Sequence, residues 1–251
     1  MANHVYMNME AFSHIPTISS EGDRLAWLAI QASVASVVPS YCYLEIGSFL
    51  GGSIQQYYTD PKCTKIYSID KRPELNPDNR EIEIKYCDNT QEIMMSNLAK
   101  ISNERIGIVE CFGGDVSDID KEMIKSKPAI CFIDGEHTDK AVVNDFDFVF
   151  SVADKNAVIY FHDSPIVYKG IIKLIKKLYE SKRKFELYKM TGSTFAILLD
   201  DCSIGKCSEF TNCSKSGNVF LWAMRINGMF NFVLPRFVLR YIKSIGKWYY
   251  G

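Results

Sequence analysis

Short apolar runs closed by polar or glycine-containing turns alternate along this chain with stretches whose apolar residues recur at helical spacing. The first such stretch follows Ser19-Ser20-Glu21-Gly22-Asp23, which can cap a helix, and carries Leu25, Leu28, Ala29 and Val34, so a helix is predicted over 22–37. Strands are predicted at 41–46, 65–70, 106–111, 129–134 and 156–162, and helices at 51–59, 90–103, 116–125, 138–150 and 167–181. The runs Ala129–Ile133 and Ala157–Phe161 are almost wholly apolar, as parallel strands covered on both faces are. Segment 81–87 alternates with period two and is predicted as an extra edge strand. Segments 184–190 and 193–199, joined by Thr191-Gly192, read as a β-hairpin. The pattern predicts an α/β fold: a doubly wound, mostly parallel seven-stranded sheet with an antiparallel C-terminal hairpin. An irregular arm (1–20) precedes the main domain (21–201), and an extension (202–251) follows it.

At 251 residues the chain has room for one such domain and its core. A net charge of −1 argues against nucleic acid as a partner. Eight cysteines, three of them (Cys42, Cys111, Cys131) in or beside apolar runs, and a start without a basic-then-apolar leader predict a cytoplasmic setting. Cys202, Cys207 and Cys213 lack a C-x-x-C pair and read as free thiols rather than a zinc site. From Ser214 onward there are six basic residues and no acidic one. Arg236, Arg240, Lys243 and Lys247 follow helical spacing, with Leu234, Val238, Tyr241, Ile245 and Trp248 largely opposite. Two readings stand for that basic amphipathic helix: peripheral contact with an anionic membrane, or packing on the core or on a second copy in a homo-oligomer. It is no membrane span, since no uncharged apolar run approaches ~20 residues.

The chemistry gathers at predicted strand ends, where such sheets bind ligands. The first strand runs through Glu45 into a glycine turn, Gly47, Ser48, Gly51, Gly52 and Ser53. The spacing is G-x-x-x-G-G, not the dinucleotide G-x-G-x-x-G, and a carboxylate there repels phosphate but suits a cationic ligand such as S-adenosylmethionine. Asp70 ends the second strand, where an acidic side chain can take both ribose hydroxyls. Gly113-Gly114-Asp115 follows the third strand; Asp115 can accept from an adenine amino group or cap the next helix. Asp134 and Asp163 end the fourth and fifth strands, and two such carboxylates repel unless a cation or proton joins them. Mg²⁺ would serve, or Mn²⁺ if His162 adds a nitrogen; His162 can equally hold the loop by hydrogen bonds. His137, three residues past Asp134, is placed either as a general base or as a solvent-facing helix-start residue.

Together, Leu44–Ser53, Ile66–Asp70, Phe132–His137 with Asp145-Phe146, and Val158–Asp163 resemble the class I S-adenosylmethionine-dependent methyltransferases, and within them an O-methyltransferase-like group of glycan and secondary-metabolite pathways. The resemblance spans roughly residues 20–200. It implies a Rossmann-like methyltransferase fold and a cofactor held by Glu45 and the Gly47 turn at its methionine end, by Asp70 at the ribose and by loop 112–116 at the adenine, with Asp134 bordering the same pocket. In similar metal-dependent sugar O-methyltransferases the Asp134 position binds Mg²⁺ and the His137 position acts as base; their two acidic residues on the fifth strand are His162 and Asp163 here. The expected activity is O-methylation of a small-molecule or glycan hydroxyl. The alternative is a hydroxylase-associated or non-catalytic cofactor-binding protein of the same fold.

Overall fold

The computed structural model describes residues 8–72, 75–76, 84–85 and 89–233. In chain order the elements are α1 (Glu21–Val37), β1 (Tyr41–Ile46), α2 (Gln55–Thr59), β2 (Cys63–Asp70), β3 (Leu75–Asn76), β4 (Ile84–Lys85), α3 (Gln91–Ile101) and β5 (Val109–Gly113). They continue with β6 (Ile130–Ile133), α4 (Asp139–Val152), β7 (Val158–Phe161), α5 (Tyr168–Glu180), β8 (Phe185–Met190), β9 (Phe195–Leu199), α6 (Ser208–Asn212), β10 (Ser214–Ser216) and α7 (Gly217–Val233).

One sheet has the order β10-β8-β9-β7-β6-β1-β2-β5. Strands β5, β2, β1, β6 and β7 pair in parallel, whereas β9 is antiparallel to both β7 and β8. Strand order reverses between β1 and β6, which opens a crevice at their carboxyl ends. The period-two alternation of each strand divides the core in two. Tyr43, Phe132 and Tyr160 meet Trp27 and Ile30 of α1 and Tyr57 of α2 on one face. Leu44, Ile46, Cys131, Ile159 and Phe161 meet Phe146 and Val149 of α4 and Leu174 of α5 on the other. Both faces of the sheet are therefore dry, as the unbroken apolar runs require.

The α/β fold with a Rossmann-like sheet and an antiparallel C-terminal hairpin is the one expected, but the sheet has eight strands, not seven. The eighth, β10, is a polar Ser-Lys-Ser edge strand on β8 and carries no apolar alternation to betray it. Four further differences concern elements. The helix expected at 116–125 is instead two 3-10 turns, Val116–Asp118 and Lys121–Met123. Asp115 and Asp120 each bind a backbone N–H two residues on, which favours short capped turns over a continuous helix. The strand expected at 106–111 begins only at Val109, because 103–108 is a 3-10 turn. The helix expected at 51–59 is confined to Gln55–Thr59. Of the expected edge strand 81–87, Ile84–Lys85 pairs with Leu75–Asn76 as a separate ribbon rather than with the main sheet. The basic segment 234–251 lies outside the described residues.

Candidate active site

A cavity of about 570 Å³ opens at the carboxyl ends of β1, β6 and β7, lined by residues of the glycine turn, Asp70, Asn89, Asp134, His137, His162, Asp163 and the arm 16–20. Gly47 and Gly51 both have φ of +87°, a conformation glycine adopts without strain. Gly47 also sits so close to β6 that a Cβ on it would lie 2.1 Å from the Asp134 carbonyl oxygen. Phe49, at φ +46°, is held in the left-handed region while its N–H donates to Asp70 Oδ2 at 2.7 Å. That bond fixes Asp70, 8% exposed, against the turn. Burial raises the Asp70 pKa, and the neighbouring Arg72 offsets part of the rise.

Glu45 stands behind the cavity wall rather than on it. It is fully buried, and its carboxylate accepts hydrogen bonds from Tyr43 at 2.7 Å and from Ser53, which does line the cavity. Burial pushes the Glu45 pKa up to about 8, against the opposing pull of those two donors. Ser48 is buried too and accepts from Ser68 Oγ at 2.8 Å.

The ends of β6 and β7 bring four expected residues together. His162 Nδ1 lies 3.0 Å from Asp134 Oδ1 and 3.8 Å from Asp163 Oδ2. His137 Nε2 lies 3.6 Å from Asp134 Oδ1 and 3.5 Å from Asp163 Oδ2. Burial works against charging His162, but Asp134 and Asp23 outweigh it and hold its pKa up at about 11. The carboxylate pair is thus neutralised by imidazolium. A protonated ring has no lone pair for a metal, and among the described residues no group of three or more His, Cys, Asp or Glu is arranged to hold one. The residues as placed do not fit the Mg²⁺ or Mn²⁺ expected at Asp134, Asp163 and His162.

Asp23 is a site residue the sequence hid. As expected, it closes the capping box of α1 with Ser20. It also accepts from Ser193 N at 2.6 Å and lies 3.4 Å from His162 Nε2. Burial opposes its ionisation, yet the bond from His162 leads the donors that hold its pKa well below the usual carboxylate range. A helix cap explains such an aspartate fully in sequence, and its second role depends on contacts about 140–170 residues away. The arm likewise carried no motif, yet Pro16–Ser20 lines the cavity.

Gly114 and Asp115 lie apart from the main cavity, around a slot of about 40 Å³ bordered also by Lys71, Val116, Gly135, Glu136 and Asp145. Asp115 caps the turn after β5 and pairs with Lys71 at 3.0 Å, while Lys71 reaches Glu136 at 3.9 Å. Asp145 is 6% exposed, and burial lifts its pKa to about 8. The glycine cradle, the anchored Asp70 and the adjoining cavity fit S-adenosylmethionine.

Residues 44–164 match the family Methyltransf_24, described as a methyltransferase domain. Comparison with curated proteins finds no match. Among solved structures, the O-methyltransferase TomG from Streptomyces achromogenes, involved in tomaymycin synthesis and bound to SAM, is 15% identical with a TM-score of 0.51, over 76% of this chain and 86% of its own. The O-methyltransferase NovP is 12% identical with a TM-score of 0.51, over 70% and 79%. An O-methyltransferase from Bacillus cereus in complex with SAH is 14% identical with a TM-score of 0.50, over 76% and 87%. From the first parallel strand to the turn after the fifth, residues 44–164 are thus similar to a methyltransferase domain, on a sheet with the fold of these O-methyltransferase structures.

Proposed function

We propose that this enzyme methylates a hydroxyl group, most naturally that of a sugar or glycan. The observation that carries this reading is His137 Nε2, set 3.5 Å from Asp163 and 3.6 Å from Asp134 on the same cavity as the glycine turn. An alcohol is a weak nucleophile at neutral pH and needs a base to take its proton. His137 is the base in this reading, and the two carboxylates stabilise the imidazolium it becomes. His162 is held charged by Asp134 and Asp23 and is unsuited to that role. Gly47, Ser48, Gly51, Ser53 and Asp70 would hold the cofactor, with Gly114 and Asp115 at its adenine end and Glu45 behind Ser53. Bound S-adenosylmethionine supplies an electrophilic methyl group on sulfur, and alignment of the acceptor with it contributes several kcal/mol.

The polar part of the walls supports this acceptor class. Thr17, Ser19, Ser20 and Ser193 present hydroxyls beside Asp23, Asp134 and Asp163, with Trp27 among them. Such groups can bond the hydroxyls of a polyol, beside an apolar wall of Pro16, Ile18 and Phe49. Several fold neighbours are named O-methyltransferases, in agreement with this reading.

Calorimetry with S-adenosylhomocysteine and transfer of labelled methyl to a panel of sugars test it. His137→Ala is expected to lower turnover by roughly 10²–10⁴-fold while leaving S-adenosylhomocysteine affinity within about twofold. Unchanged turnover removes His137 from the mechanism. Tight cofactor binding with no transfer to any hydroxyl acceptor favours a non-catalytic role.

A further inference from the structure

The surface farther along the chain carries a second pattern, which the methyltransferase reading leaves unused. Helix α5 buries Ile171, Leu174, Ile175 and Leu178. Its outer side exposes Lys169, Lys173 and Lys176 at positions i, i+4 and i+7, and Lys177, also exposed, pairs with Asp147. Between Tyr168 and Lys184 there are seven basic residues and one acidic one, Glu180. Helix α7 packs beside α5 and across β8. Leu221 faces that core, while Val219 and Trp222, three residues apart, are 65% and 66% exposed. Val219 and Trp222 thus leave a small apolar patch in water one helix away from the lysine row.

Charge limits what a partner for this face can be. The chain as a whole is nearly neutral, yet Ser214 to Gly251 holds six basic residues and no acidic one, with Trp248, Tyr249 and Tyr250 near its end. A lysine row, an exposed tryptophan one helix away and a following segment of basic and aromatic residues match an anionic bilayer surface: lysines pair with headgroups, and the indole rests at the interface. No helix among the described residues is long and apolar enough to cross a membrane, so the contact is peripheral. We infer that α5 and α7 form a docking face for an anionic lipid surface, with Trp222 as its interfacial anchor and Lys169, Lys173 and Lys176 as its electrostatic contacts. This inference does not depend on the identity of the methyl acceptor.

Co-sedimentation of the full chain with vesicles tests it. The protein is expected to pellet with phosphatidylcholine vesicles containing phosphatidylglycerol, to remain in solution with pure phosphatidylcholine, and to be released as NaCl rises. Changing Lys169, Lys173 and Lys176 together to Gln should weaken partitioning by about tenfold or more, and Trp222→Ala should weaken it measurably. These positions lie outside the catalytic machinery, so methyl transfer in the absence of vesicles should be unchanged. Equal recovery with both vesicle types overturns the inference. So does wild-type binding by both variants, which would assign the contact to the terminal segment alone. Concentration-dependent dimerisation that Trp222→Ala abolishes, without vesicle binding, would assign the face to a second copy and likewise overturn it.

Discussion

His162 sits between Asp134 and Asp23, and the sign of its charge decides how the site responds to pH. Its pKa is raised to about 11 from an ordinary value near 6.5. The stability it contributes is therefore complete below about pH 6.5 and is lost progressively as pH rises toward 11. His162→Asn should flatten the alkaline fall in Tm, and thermal melts from pH 7 to about 10 check this. A wild-type slope in the variant would place the charge elsewhere. The same imidazolium occupies the place a metal would need, so Mg²⁺ and Mn²⁺ should leave the Tm unchanged; a rise of several degrees on adding either ion contradicts the neutralised-pair account. Glu45 shows the opposite case. Buried among Tyr43 and Ser53 with a pKa near 8, it holds its proton for much of the time at neutral pH. It was legible as a carboxylate at the end of a strand, but its position behind Ser53 was not, because period-two alternation gives the face of the sheet and not the depth.

Among the elements, the arm and α1 form one wall of the cavity. Gly52 is packed so closely under the arm that a Cβ would lie 2.6 Å from the Pro16 carbonyl oxygen and 2.7 Å from Thr17 Cγ2. Gly52→Ala should push the arm away and raise the acceptor KM more than it lowers kcat; an equal KM would show that the arm does not contact the acceptor. Ser20→Ala removes the cap of α1 and is expected to cost about 1 kcal/mol in chemical denaturation. It also takes a donor from Asp23, so turnover should fall with it. The capping sequence at Ser19–Asp23 was readable because caps depend on neighbours a few residues apart. The turns after β5 were not, because aspartates that start a helix and aspartates that interrupt one use the same local bonds.

For the whole molecule, the mostly parallel sheet and its two covered faces were legible because buried parallel strands leave continuous apolar runs, as at Ile130–Ile133 and Val158–Phe161. Phe161 is fully buried against Phe146, and Phe161→Ala should cost about 3–5 kcal/mol in equilibrium unfolding. Contacts that join distant parts escaped the pattern. Asp23 meets Ser193 and His162, Trp27 donates to Thr194, and β10 returns to the edge of the hairpin. Each is a pairing of single polar atoms or a three-residue polar strand, with no periodic signature.

Gly47 leaves no room for even one methyl group between the first crossover and the Asp134 carbonyl. The two halves of the crevice are therefore joined with no slack, and a displacement of one is felt at once by the other. Anything that presses on the turn therefore presses on the strand that carries Asp134, and the two lips of the crevice yield together or not at all.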